Sequence, residues 1–138
     1  MQAAIPDIRP LRILIVEDEA AIAAHLYRLL RSWGYEVAGT ASSAAQAMRL
    51  IVRQAPDLAL VNVHLSGAAT GAALIPALRA RRQIPVILLT GCGPDELPAG
   101  LLGQPGLHYL PKPFPDGLLR AAVAQLLGPA PPEHPARA

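Results

Sequence analysis

The 138-residue chain has a single cysteine, Cys92, and only 4% of its residues are aromatic. One cysteine excludes an internal disulfide framework and a cysteine-based zinc cluster. So few aromatic side chains argue against a surface that stacks nucleic-acid bases. No apolar run approaches the ~18 residues of a membrane-spanning helix, and the first ten residues lack the pattern of a secretory signal. We therefore expect a cytoplasmic protein that binds neither nucleic acid nor membranes.

Charged residues are also scarce, at 16%, whereas 52% of the residues are hydrophobic. A chain this apolar and weakly charged can bury a core, and its length suits one domain. Lysine and arginine together number 12, yet Lys112 is the only lysine. It lies in the segment LPKPF at 110–114, which makes this segment chemically distinct from the rest of the chain.

Proline marks both ends of the chain. It occurs twice within residues 1–10 and four times within residues 128–138. Proline-rich segments of this kind are extended or flexible. We therefore predict flexible tails at 1–10 and 128–138 around a folded domain at 11–127.

Between these ends, short apolar runs alternate with helical patterns. The predicted strands cover 11–16, 35–40, 58–63, 85–90 and 107–110, and predicted helices cover 20–33, 72–82 and 117–127. Another helix opens at a capping box formed by Ser43 and Gln46, and Pro56 ends it. Strands one, three and four are almost continuously apolar, which is typical of a parallel sheet covered on both faces. The pattern predicts a doubly wound α/β fold.

The segment 91–106 fits this scheme poorly, because it contains three prolines and several glycines. Each proline inside a helix costs about 3 kcal/mol, and each glycine about 1 kcal/mol. We expect at most a turn or two of helix there.

Polar residues gather where the predicted strands end. They are Glu17, Asp18, Glu19, Asn62, Thr90 and Lys112. In a parallel α/β sheet these ends meet at one edge, where ligands bind. Carboxylates with loop carbonyls suit Mg²⁺, and a lysine and a hydroxyl facing such an ion could hold a phosphoryl group.

Four motifs carry a resemblance to a known family. They are ILIVEDE at 13–19, PDLALVNVHLSG at 56–67, ILLTG at 87–91 and HYLPKPF at 108–114. At these spacings the chain resembles the receiver domain of bacterial two-component response regulators, over about residues 11–127. The resemblance implies a (βα)5, flavodoxin-like fold with sheet order 2-1-3-4-5.

The resemblance also implies a metal site. It assigns Glu17 and Asp18 as the acidic pair that holds Mg²⁺, with the backbone carbonyl of His64 as a further ligand. Asn62 departs from the family, because it stands where the family has its phosphate-accepting aspartate.

The resemblance also implies residues for the conformational switch of the family and for phosphate binding. Thr90 matches the switch hydroxyl of the family, Tyr109 its switch aromatic residue and Lys112 its phosphate-binding lysine. The Lys112–Pro113 bond matches a peptide that is usually cis in the family, and only an X-Pro bond adopts cis at modest cost.

Asn62 nearly preserves the shape of an aspartate but changes its chemistry. Attack through the amide oxygen would sacrifice resonance whose rotation barrier is about 18–20 kcal/mol. The amide also removes one negative charge beside the metal, worth up to about 4 kcal/mol at ~4 Å and an effective dielectric constant of ~20. We therefore predict no aspartyl-phosphate at this position and weakened binding of the Mg²⁺ cofactor.

Three interpretations stay open. The chain is a natural pseudo-receiver that signals without phosphorylation, or an ordinary Mg²⁺-dependent receiver with an engineered Asp-to-Asn change. A remote third is a small flavodoxin-like enzyme that binds a metal or a flavin.

We favour a receiver that is not an enzyme and acts through protein contacts. Its expected partners are a histidine kinase, a phosphotransferase or a downstream effector, bound through the face formed by 91–127. No helix-turn-helix pattern follows residue 127, so DNA binding is not expected, and we expect a monomer or weak homodimer.

Overall fold

The computed structural model describes residues 10–63, 71–81, 83–91, 97, 100, 101 and 103–128. The predicted tails therefore lie outside the described residues, except for Pro10 and Gly128, as do His64 and Cys92. The elements are β1 (Arg12–Val16), α1 (Ala20–Ser32), β2 (Glu36–Ala41), α2 (Ala44–Gln54), β3 (Leu58–Asn62), α3 (Gly71–Arg81), β4 (Val86–Thr90), β5 (Leu107–Pro111) and α4 (Asp116–Leu127). Within the described part of the chain, no helix is long and apolar enough to cross a membrane.

The five strands form one parallel sheet in the order β2-β1-β3-β4-β5. This confirms the predicted fold class and strand order. The chain builds outward from β1 to β2, then returns to β3 on the other side of β1. The carboxyl ends of β1 and β3 therefore flank the point where the winding reverses, which is where ligands bind in such sheets.

Alternate residues of each central strand enter two different cores. Leu14 and Val16 of β1 pack with α2 and α3, in a cluster that we call the α2–α3 core. Ile13 and Ile15 pack with α1 and α4, in the α1–α4 core. All four are buried, and full burial of such a side chain contributes about 1.5–3 kcal/mol. Coverage on both faces explains why the strands are continuously apolar.

A glycine lies just beyond the end of helix α1. Gly34 has φ 96°, which places it in the left-handed region that glycine adopts without steric cost. The Gly34 N–H donates to the Arg31 carbonyl and the Tyr35 N–H to the Leu30 carbonyl, at 3.1 and 3.0 Å. These two bonds define a Schellman motif. Trp33, just before this motif, is half-buried. The guanidinium carbon of Arg120 in α4 lies over its indole ring, 5.7 Å from the ring centroid.

Helix α2 begins with a modified capping box. The Ser43 hydroxyl accepts from the Gln46 N–H at 3.2 Å, as predicted. The Gln46 side-chain oxygen, however, accepts from the N–H and hydroxyl of Ser42, each at 2.8 Å, rather than from Ser43. The helix ends before Pro56, where Ala55 takes a left-handed conformation with φ 45°.

The described residues between β4 and β5 lie in turns and bends. The other residues of 91–106, where at most a turn or two of helix is expected, lie outside the described residues. Leu97 and Leu101 are buried in the α2–α3 core and attach this connection to the sheet. A turn follows, in which the Gln104 N–H donates to the Leu101 carbonyl at 3.2 Å. Gly106 closes it with φ 75°, and a Cβ there would lie 2.8 Å from the Arg79 guanidinium.

Arg12 joins four segments at the amino edge of the sheet. Its guanidinium donates to Glu36 at 2.8 Å, to the Gln54 side chain at 2.9 Å and to the Gln54 backbone carbonyl. Its backbone exchanges two hydrogen bonds with Asp57, at 2.8 and 2.7 Å. The first residue of β1 thus fixes β2, the end of α2 and the start of β3.

Candidate functional site

The polar residues predicted at the strand ends do lie at one edge of the sheet. Glu17 follows β1, Asn62 ends β3, Thr90 ends β4 and Lys112 follows β5. The Lys112 N–H donates to the Thr90 carbonyl at 2.7 Å, so the pairing of β4 and β5 extends as far as the lysine. Parallel pairing brings these residues together from distant parts of the sequence.

Asn62 bridges a cation and an anion at this edge. Lys112 Nζ donates to Asn62 Oδ1 at 2.9 Å, and Asn62 Nδ2 donates to Glu17 Oε2 at 3.2 Å. Lys112 Nζ also lies 3.8 Å from Glu17 Oε1. The amide oxygen thus faces the ammonium and the amide nitrogen faces the carboxylate. We call these three side chains the Lys112–Asn62–Glu17 relay.

Glu17 is the buried anion of the relay, with 2% of the residue exposed. Its Oε2 accepts a second hydrogen bond from the Glu19 N–H at 3.0 Å, whereas its buried Oε1 has no hydrogen-bond partner. Burial raises the pKa of Glu17, and Asp18 raises it further. The Glu19 N–H and the charge of Lys112 oppose this rise in the pKa without reversing it.

The other predicted site residues lie in or directly after strands of the same sheet. Asp18 is half-buried, and its carboxylate lies close enough to Glu17 to raise the pKa of that residue. Thr90 is fully buried at the end of β4, and Tyr109 of β5 is half-buried against the α2–α3 core. The Lys112–Pro113 peptide bond is cis.

The residues present suit Mg²⁺ poorly. Among the described residues no group of three or more histidine, cysteine, aspartate or glutamate side chains is arranged to hold a metal ion. Glu17 and Asp18 could supply carboxylate oxygens, but the Asn62 oxygen accepts from Lys112 and its amide hydrogens face Glu17. The predicted His64 carbonyl ligand lies outside the described residues.

Sequence reasoning missed the support that Glu19 gives to the site. The sequence indicates only one more acid at the end of β1, but the backbone N–H of Glu19 holds Glu17 Oε2 while the residue itself is exposed. A backbone donor has no signature in the sequence, so only the loop geometry could reveal this contact.

Comparison with known proteins identifies the family of this chain. Residues 13–124 match the family model described as the response regulator receiver domain. The transcriptional regulatory proteins PdtaR and PrrA of Mycobacterium tuberculosis are 32% identical over 105 residues and 36% identical over 119 residues. These matches cover 76% and 84% of this chain but 51% and 49% of the relatives. The chain therefore spans about half the length of these two relatives.

Solved structures agree with that match. The receiver domain of PhyR from Erythrobacter litoralis superposes with a TM-score of 0.76 at 30% identity, covering 86% of this chain and 90% of that one. The chemotaxis protein CheY4 of Vibrio cholerae also gives a TM-score of 0.76, covering 86% of this chain and 100% of that one. Its identity is 23%, so that likeness concerns the fold alone. The chain belongs to the response regulator receiver domain family.

Proposed function

We propose that this receiver works in bacterial two-component signalling through protein contacts and accepts no phosphoryl group at residue 62. One observation carries the proposal: Asn62 holds the central position of the relay, 2.9 Å from the only lysine of the chain. The surroundings are those expected of a phosphoacceptor, but the residue there is an amide.

The chemistry of the amide supports this proposal. A carboxylate can attack phosphorus and form a covalent intermediate because it carries a full charge and a free lone pair. The Asn62 oxygen is uncharged and accepts from Lys112, and attack through it would sacrifice the amide resonance. The amide nitrogen, which donates to Glu17, is no better as a nucleophile.

The surface proposed for partner binding is the face formed by 91–127. Its described parts include β5 and α4, and Leu118 of α4 is 53% exposed. The backbone bond from Lys112 to Thr90 joins this face directly to the site. A histidine kinase, a phosphotransferase or a downstream effector would bind here, with Leu118 as an exposed apolar contact.

A second candidate is a phosphate-accepting receiver whose natural form carries aspartate at 62. The intact surroundings favour it, because Glu17 and Lys112 both stay within hydrogen-bond or ion-pair range of the residue 62 site. In that case the Asp-to-Asn change is engineered, and reversing it would restore Mg²⁺-dependent phosphorylation.

The test compares the chain with its Asn62→Asp variant. Both proteins are incubated with acetyl phosphate and Mg²⁺, and intact mass and phosphate-affinity electrophoresis report any phosphoryl group. We expect no mass gain for the chain itself and a labile gain of one phosphoryl group for Asn62→Asp. The variant incubated with a chelator serves as the control for metal-dependent transfer. A phosphoryl group on Asn62 of the unmodified chain would overturn the proposal.

A further inference from the structure

We infer that Lys112 acts as the built-in counter-cation of this site, so that the chain with Asn62 holds no divalent ion there. This inference rests on the proposed function, because it treats residue 62 as a structural amide rather than a phosphoacceptor. The inference names Lys112 as the group that replaces the metal ion. The identity of residue 62 alone does not reveal that group.

The hydrogen bonds of Asn62 point the wrong way for a metal ion. Mg²⁺ takes hard oxygen ligands in near-octahedral geometry. The only oxygen of Asn62 accepts from Lys112, and its amide hydrogens face Glu17 Oε2. A cation that shared Oε2 would therefore meet the positive end of the amide dipole. Turning the amide around would break both bonds and leave Lys112 facing an N–H donor.

The charges of the relay are already balanced. Glu17 is buried, and a buried carboxylate needs a compensating charge or strong hydrogen bonds. Lys112 Nζ supplies this charge 3.8 Å from Oε1, the oxygen without a hydrogen-bond partner. With aspartate at 62 the same ammonium would face two carboxylates, and a divalent ion could neutralise the excess. With asparagine the relay itself carries one positive and one negative charge, and the carboxylate of Asp18 is the remaining negative charge beside it.

The ammonium also opposes any divalent ion that enters. Like charges a few ångströms apart repel each other strongly at a partly buried site, and Mg²⁺ carries two charges. Lys112, and not only the lost carboxylate, is therefore the barrier to metal binding. Removing the ammonium should admit the metal even though Asn62 is unchanged.

The test uses the fact that Lys112 is the only lysine of the chain. Isotope-labelled lysine gives one side-chain ammonium resonance, which is followed by NMR during titration with Mg²⁺ and paramagnetic Mn²⁺. In the unmodified chain at millimolar metal we expect this resonance to stay sharp and unshifted. Backbone amide signals of Glu17, Asp18 and Asn62 report metal binding in the same titration.

Lys112→Met removes the charge and keeps an unbranched side chain. We expect Mn²⁺ to broaden the amide signals of Glu17 and Asp18 in this variant, with an affinity at least about tenfold higher than in the unmodified chain. Lys112→Arg keeps the charge and is the matched control, so it should gain no affinity. If Lys112→Met does not fold, Lys112→Gln takes its place.

Two results would overturn the inference. One is saturable broadening of the Lys112 resonance in the unmodified chain at millimolar metal. The other is a Lys112→Met or Lys112→Gln protein that folds and binds metal no better than the unmodified chain. The ammonium measurement needs no variant, so it decides alone if neither substitution folds. Failure here appears in the metal titrations without any mass gain, whereas failure of the proposed function appears as a phosphorylated Asn62.

Discussion

Asn62 donates its side-chain N–H to Oε2 of Glu17 over 3.2 Å at a buried edge of the sheet. This contact depends on the amide, because a carboxylate at position 62 would place oxygen against oxygen. Lys112 cannot compensate both carboxylates fully. The substitution that restores the family's phosphoacceptor therefore also removes a stabilising contact.

The first prediction concerns the stability of Asn62→Asp. Without metal at neutral pH we expect this variant to lose about 1–3 kcal/mol of unfolding free energy, since it loses a buried hydrogen bond and adds a buried charge. Mg²⁺ should restore stability, and the gain should rise with the logarithm of its concentration above the dissociation constant, because the ion binds the folded state. Urea denaturation with chelator and with Mg²⁺ measures both effects. Asn62→Ala, which adds no charge, is the control and should show no recovery with Mg²⁺.

The sequence predicted this site because its members end strands of one parallel sheet. The apolar runs of β1, β3 and β4 indicate burial on both faces, and topology then places the residues after them at one edge. The motif resemblance supplied the strand order. The substitution of Asn62 is visible in the sequence itself.

Other contacts had no such signal. Arg12 meets Glu36 and Gln54 across sequence separations of 24 and 42 residues. An arginine at the start of a strand is common, and no periodicity indicates which acid or carbonyl it meets. Leu97 and Leu101 are likewise buried in the α2–α3 core, although the composition around them favours an irregular loop. Tertiary packing decides such positions, and local sequence patterns do not describe it.

The second prediction concerns the pH dependence of Glu17. Burial raises its pKa in the folded state above the unfolded value near 4.5. Between these two pKa values the folded state holds a proton that the unfolded state has released. The contribution of Glu17 to stability is therefore largest below pH 4.5 and is lost as pH rises through the folded pKa.

Glu17→Gln removes this titration. The unfolding free energy of the variant, minus that of the unmodified chain, should increase as pH rises from 4.5 and then level off above the raised pKa. Chemical denaturation at a series of pH values measures the difference. Val52→Ala, at an exposed position without an ionisable group, should give a difference independent of pH. Parallel profiles for Glu17→Gln and the unmodified chain would contradict the assignment.

The third prediction concerns Arg12. Arg12→Met loses the bonds to Glu36 and Gln54, and we expect a loss of about 1–3 kcal/mol in unfolding free energy with an unchanged denaturant slope. The Glu36 contribution is the smaller part, since its side chain is 45% exposed and such pairs are worth less than about 1 kcal/mol. Glu36→Gln should therefore cost less than Arg12→Met.

The control for Arg12 is an arginine whose contacts are local. Arg31 of α1 donates to Tyr27 one turn earlier at 3.1 Å, at an exposed position. Arg31→Met should change the unfolding free energy by no more than about 0.5 kcal/mol. A similar loss for both substitutions would mean that Arg12 has no special role at the edge of the sheet.

The last prediction concerns the end of α2. Ala55 has φ 45° and ψ 60°, a left-handed conformation that costs a residue with a Cβ about 1–2 kcal/mol. Glycine avoids this cost but gains freedom in the unfolded chain worth about 0.4–1 kcal/mol. Ala55→Gly should therefore raise the unfolding free energy by about 0.5–1 kcal/mol.

Ala45→Gly, at an exposed position inside the same helix, should lower it by about 1 kcal/mol. Thermal unfolding measures both changes in unfolding free energy. Opposite signs for the two Ala→Gly substitutions would show that backbone conformation decides the effect. A loss of stability at both positions would exclude the left-handed cap at Ala55.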